Sequence, residues 1–169
     1  KKLGILFWIT GLSGSGKTRI AKKIANDIRK NYGKTIVLSG DDIRNIFNLK
    51  GYSYEERLNT VLKYCKLAKK ITDQNVNVIF AVIGMMDVLR NWNKKNQKNY
   101  VEIYIKSNVK NIIKANRKKL YHKNISKIVG IDIRPEFPKK PHITITNNFK
   151  KDINYLSKKI NFKIKELLD

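Results

Sequence analysis

The stretch GLSGSGKT, Gly11 to Thr18, stands between a continuous apolar run, ILFWIT (Ile5–Thr10), and a segment whose apolar residues recur at helical spacing. A surface turn would account for the small residues. It would not account for the lysine and threonine that close the stretch, or for the helix pattern behind them. The spacing is G-x-x-x-x-G-K-[ST], the phosphate-binding P-loop, with Gly11, Gly16, Lys17 and Thr18 at the fixed places. Without Cβ atoms at Gly11, Gly14 and Gly16, backbone N–H groups converge on phosphate oxygens, and Ser13 and Ser15 are the small residues between them. A helix starting near Lys17 aims its positive end at the same point. ATP with Mg²⁺ is therefore the expected ligand, with Lys17 at its β- and γ-phosphates and the Thr18 hydroxyl on the metal.

The rest of the chain repeats the alternation. ILFWIT reads as a strand buried on both faces, and Ile20, Ala21, Ile24 and Ile28 mark a helix over Lys17–Tyr32 that Gly33 stops. Further strands are predicted at Thr35–Ser39, Val76–Ile83, Tyr100–Ile105 and His142–Thr146, and helices at Tyr54–Asn75 and Asp152–Leu168. Strands alternating with helices imply parallel βαβ units. The fold class is α/β: a five-stranded parallel sheet flanked by helices, of the P-loop nucleoside-monophosphate-kinase type. At 169 residues, with no repeat and no linker, one domain over 1–169 is expected. Residues 117–140 lack periodicity and read as a lid.

Composition removes some classes. No apolar run approaches the ~20 residues a membrane-spanning helix needs. The lysine pair and short apolar stretch at the start have the flanks of a signal peptide. The P-loop that follows at once has no reason to be a cleavage site, so the start reads as a strand. A single cysteine, Cys65, forbids an internal disulfide and fits a reducing cytoplasm. The net charge of +24 invites a nucleic-acid reading. However, the lysines are spread along the chain among many Asn and Ile residues, as an AT-rich genome would encode. Solvated faces account for them better than a clustered basic patch does. Oligomeric state stays open, a homodimer included.

SGDDIR (Ser39–Arg44) follows the second strand, where ligands of α/β sheets gather. Asp41 is placed to accept the proton of an acceptor hydroxyl or to hold Mg²⁺ through water. Asp42 is expected to cap the next helix. Arg44, one turn after Asp41, shares its face and suits an acceptor phosphate. Cys65 falls on an apolar helix face, and His122 and His142 stand alone, so all three read as structural. NKKNQKN (Asn93–Asn99) reads as a solvated helix end and turn.

From GLSGSGKT to KKPHITI the chain resembles the adenylylsulfate kinases, P-loop enzymes that move the γ-phosphate of ATP to the 3′-hydroxyl of adenosine 5′-phosphosulfate. LSGDDIR is similar to the family's LDGDxxR, which implies Asp41 as the catalytic aspartate and Arg44 as an acceptor-binding arginine. GYSYEER is similar to GFSxxDR, which implies that Tyr52 stacks on the acceptor base and that Arg57 is a second acceptor arginine. KKLY is similar to the lid's KGLY and places Lys118 at the acceptor, with Lys119 and Lys123 able to face phosphates. VGID is similar to TGID.

The departures gather at acceptor recognition. Ser39 replaces an acid, Thr60 an asparagine, Ala115 an arginine and Lys119 a glycine, and RPEFP stands for PYExP. Ile128 stands where a second aromatic would clamp the base. One stacked aromatic is worth ~1–3 kcal/mol per base, so its loss disfavours a purine. The pattern is most similar to a divergent branch, the cytidine diphosphoramidate kinases of capsule phosphoramidate synthesis. Three readings stay open on the sequence: a kinase for that acceptor, an ordinary adenylylsulfate kinase, and a non-catalytic P-loop protein that binds nucleic acid.

Overall fold

The computed structural model describes residues 3–115 and 127–169. In chain order the elements are β1 (Ile5–Thr10), α1 (Lys17–Tyr32), β2 (Thr35–Ser39), α2 (Gly40–Ile46), α3 (Tyr54–Thr72), β3 (Asn77–Val82), α4 (Asp87–Asn96), β4 (Asn99–Lys106), α5 (Val109–Lys114), β5 (Ile143–Thr146) and α6 (Ile153–Leu168). The strands form one parallel sheet in the order β2-β3-β1-β4-β5. The expected α/β architecture is thus present.

Alternation along β1 explains the layering. Ile5, Phe7 and Ile9 face α1 and α6 in one core, while Leu6 and Trp8 face α2, α3 and α4 in another. A strand covered on both faces has no place for a polar residue, which is why β1 is a continuous apolar run. A third, smaller cluster of Leu12, Met85, Tyr104, Ile112 and Val129 closes the carboxyl end of the sheet. Thr10 lies opposite Val82 and Tyr104, and Ser39 opposite Ala81, so the chain leaves β1, β2 and β3 at one level. The Thr10 hydroxyl donates to Ile83 O and ties two of these exits together.

Several sequence expectations need correction. A helix after SGDD and one ending near Asn93 were expected without bounds, and these are α2 and α4, whereas α5, only six residues long, was not foreseen. The cap of α2 is Ser39, whose hydroxyl accepts from Asp42 N (3.2 Å), and not Asp42. The helix begins at Gly40, three residues earlier than a capping aspartate at 42 requires, and Ser39 has the extended backbone of an N-cap. The Asn93–Gln97 turn is not simply solvated. Asn93 and Gln97 are buried, with Gln97 Nε2 donating to Cys65 O (3.2 Å) and Gln97 Oε1 accepting from Thr72 Oγ1 (3.2 Å). Gln97, the C-cap of α4, thereby meets the second half of α3.

Candidate active site

The P-loop leaves β1 and returns as α1. Gly11 is required by close approach: a Cβ there would lie 2.7 Å from Ile105 O on β4. Gly16 precedes α1 with φ +97°, a left-handed backbone that other residues adopt at a cost. Lys17 is buried and its Nζ donates to Leu12 O (2.7 Å), bending the side chain back over the loop. Asn147, just past β5, donates from Nδ2 to Ser15 O (2.9 Å) and accepts from Phe149 N (3.0 Å). This amide ties the loop to the segment that leads into α6.

A cavity of about 520 Å³ opens on the loop. Ser13, Gly14, Gly16, Lys17 and Thr18 form one wall, Ser39 to Asp42 a second, and Asn147 to Ile153 the far end. The volume suits a nucleotide. Gly11 and Ser15 do not line the cavity. Thr18, Asp41 and Asp42 bring a hydroxyl and two carboxylates to it, the hard oxygen donors that Mg²⁺ takes together with phosphates. Among the described residues no group of three or more His, Cys, Asp or Glu could hold a metal without such phosphates.

A second, narrower cavity of about 50 Å³ adjoins the first. Asp41 and Gly40 belong to the walls of both, as do Val82 and Ile83 at the exit of β3. Arg44 and Arg57 line the second cavity together with Arg134. Met85, Met86, Val129 and Ile133 give it an apolar side. It is far below the ~300 Å³ of a small-molecule site, so a ligand of nucleoside size would have to widen it.

The two arginines drawn from the sequence converge on Tyr52, with the Arg44 guanidinium 4.7 Å and the Arg57 guanidinium 5.1 Å from the ring centre. Burial lowers the pKa of Arg57, and the nearby Arg44 charge lowers it further. Tyr52 is half exposed and does not line the second cavity. Ile128 does not line it either. It is buried, its N–H donates to Asp132 Oδ2 (2.8 Å), and its neighbour Val129 faces the cavity instead. Lys118, Lys119, Lys123 and His122, with the rest of 117–126 in the expected lid, lie outside the described residues. Cys65 is fully buried and its thiol is pushed up to about 12 by burial, while His142 Nδ1 accepts from Glu102 N (2.8 Å).

Sequence reading missed Asn147, Arg134 and the two methionines. The carboxyl end of the last strand was a usable signal for Asn147, because loops from all strand ends meet there. Nothing in the sequence pointed to Met85 and Met86. No helix among the described residues is long and apolar enough to cross a membrane.

Comparison with known proteins gives the family. The family model for adenylylsulphate kinase matches residues 3–146. A cytidine diphosphoramidate kinase of Campylobacter jejuni is 36% identical over 166 residues, covering 96% of this chain and 95% of that protein. A probable adenylyl-sulfate kinase of Aeropyrum pernix is 29% identical over 90% of each chain. The Mycobacterium tuberculosis APS kinase CysC in complex with AMPPNP and APS has the same fold, with a TM-score of 0.86 and 22% identity over 98% of this chain and 99% of that one. This chain accordingly belongs to the adenylylsulphate kinase family and is a phosphotransferase that takes an alcohol group as acceptor.

Proposed function

We propose that the chain binds ATP with Mg²⁺ in the larger cavity and transfers the γ-phosphate to the ribose 3′-hydroxyl of cytidine diphosphoramidate in the narrower one. The observation that carries the transfer is the place of Asp41 in the wall common to both. A carboxylate there takes the hydroxyl proton as the ribose oxygen bonds to the γ-phosphorus and the bond to the leaving ADP oxygen breaks. Lys17 leaves Leu12 O to meet the β- and γ-phosphates, and Ser13, Gly14 and Gly16 surround them. The Thr18 hydroxyl would hold Mg²⁺, which offsets phosphate charge when bound with the nucleotide. Asn147, Phe149 and Lys151 then flank the nucleoside end of ATP.

Two observations favour the cytidine acceptor. Similarity to the Campylobacter enzyme, 36%, exceeds the 29% to the Aeropyrum enzyme. The slot also has an aliphatic side in Val129 and Ile133, which suits a small base more than a stacked purine. Arg44 and Arg57 hold the anionic 5′ groups. As those groups draw the guanidiniums away, the Tyr52 ring is released to stack on the base. Such a product would serve capsule phosphoramidate synthesis in the cytoplasm, where ATP is supplied. A second reading, 3′-phosphorylation of adenosine 5′-phosphosulfate, is favoured by the span of the family match.

The test is product position. With ATP, Mg²⁺ and cytidine diphosphoramidate, ³¹P NMR should show a new phosphomonoester coupled to the ribose 3′ proton. The 3′-deoxy acceptor should give no product. A phosphate found elsewhere, or no acceptor-dependent ADP, would contradict the proposal.

A further inference from the structure

Of the three arginines that line the narrower cavity, two are partly spent. Arg44 Nη1 donates to Leu49 O and Gly51 O, both at 3.1 Å. Arg57 gives Nε to Tyr52 O (2.9 Å) and Nη2 to Lys127 O (2.8 Å). Both fasten the loop after α2 and stand over the same tyrosine ring. Arg134 is different. Its side chain is exposed, lines the cavity from the opposite segment, and makes no hydrogen bond or ion pair with any described residue. Five N–H donors are therefore left over.

The backbone that carries Arg134 is held on both sides. Before it, Gly130 N donates to Ile133 O (2.9 Å) and Ile133 N to Ile128 O (3.1 Å). After it, Glu136 N donates to Met85 O (3.0 Å), and the buried Arg90 donates from Nη2 to Glu136 O (2.6 Å). Pro135, next in the chain, restricts Arg134 to extended backbone. A fixed mount with an unspent fork is what preorganised recognition of an anion needs.

Charge gives the number of groups to be recognised. The cavity wall carries Arg44, Arg57 and Arg134 against Asp41, three cations to one anion. Arg44 and Arg57 sit together and suffice for one anionic group. A third guanidinium set apart from them suits a second. We propose that Arg134 determines acceptor specificity by taking the distal anionic group of the 5′ chain, beyond the phosphate attached to the ribose. This rests on the narrower cavity being the acceptor site.

The experiment compares acceptors in pairs that differ only in the distal group: cytidine diphosphate with cytidine monophosphate, and adenosine 5′-phosphosulfate with adenosine monophosphate. The kcat/KM ratio within each pair is measured for wild type, Arg134→Ala and Arg134→Lys. In the pair that the wild type uses better, Arg134→Ala should shrink the ratio by ~10-fold or more, the scale of one charged hydrogen-bonded contact. Arg134→Lys should restore part of it, since a point charge lacks the fork. The melting temperature should stay put, as no described contact is lost. An unchanged ratio in Arg134→Ala, or an equal loss with both members of the pair, would overturn the inference. The base preference is read between the pairs in the wild type. Failure of the cytidine reading therefore shows there, and leaves the Arg134 comparison intact within the adenosine pair.

Discussion

At the scale of single residues, the account separates neighbours that look alike. Asp41 and Asp42 are adjacent acids, both exposed and both on the larger cavity, but only Asp41 also lines the narrower one. Asp41→Asn should lower kcat by ~10²–10⁴-fold, the range for a general base, while leaving the affinity for ATP near its wild-type value. Asp42→Asn should lower kcat by at least ~10-fold less than Asp41→Asn does, since Asp42 lines only the larger cavity. Steady-state rates at saturating ATP, with nucleotide affinity from calorimetry, check both. The reverse pattern would mean that the assignment is off by one residue. Lys17→Ala should cost at least ~10²–10³-fold in kcat, because charge stabilisation of the transferred group is the main catalytic contribution. That Lys17 and Asp41 would share one cavity was legible, because the P-loop spacing and the place of SGDDIR at a strand end carry their own geometry. Tyr52 and Ile128 were harder. Their roles depend on which way a loop presents its side chains, and spacing does not encode that.

At the scale of elements, two features invite measurement. Ser39 ends β2 and caps α2, the helix that carries Asp41 and Arg44. Ser39→Ala should cost about 1 kcal/mol, seen as a fall of about 2–4 °C in melting temperature for a chain of this size. The second feature is Glu102 on β4, buried beside Arg90 (3.5 Å) and Lys94 (3.7 Å). Burial raises its pKa above the ordinary value of 4.5, more than the two cations lower it. A raised folded-state pKa contributes stability that is present below pH 4.5 and lost as pH rises through the folded value. In Glu102→Gln that slope is absent, so the variant's melting temperature relative to wild type should climb as pH is raised from 4 toward neutrality. A difference independent of pH would contradict this. Long elements with strong periodicity, such as β1, α1 and α6, were legible from sequence. The bounds of the short helices were not. Helix α2 has seven residues and one buried position, Ile43, and is held by its cap and its place at a strand end, which periodicity cannot report.

At the scale of the whole molecule, the formal charge of +24 acts as a field on anionic substrates. Raising ionic strength from about 10 mM to about 150 mM shortens the screening length from ~30 Å to ~8 Å. The kcat/KM for the acceptor should then fall while kcat changes little, since long-range steering affects capture rather than chemistry. The sheet order, with loops from β1, β2 and β3 meeting at its carboxyl end, sets the larger and the narrower cavity side by side. The direct measurement is kcat/KM for cytidine diphosphoramidate and for adenosine 5′-phosphosulfate with the same enzyme, ATP and Mg²⁺. The cytidine acceptor should be preferred by at least ~10-fold, about 1.4 kcal/mol of differential transition-state binding. Equal values, or a preference for adenosine 5′-phosphosulfate, would contradict it.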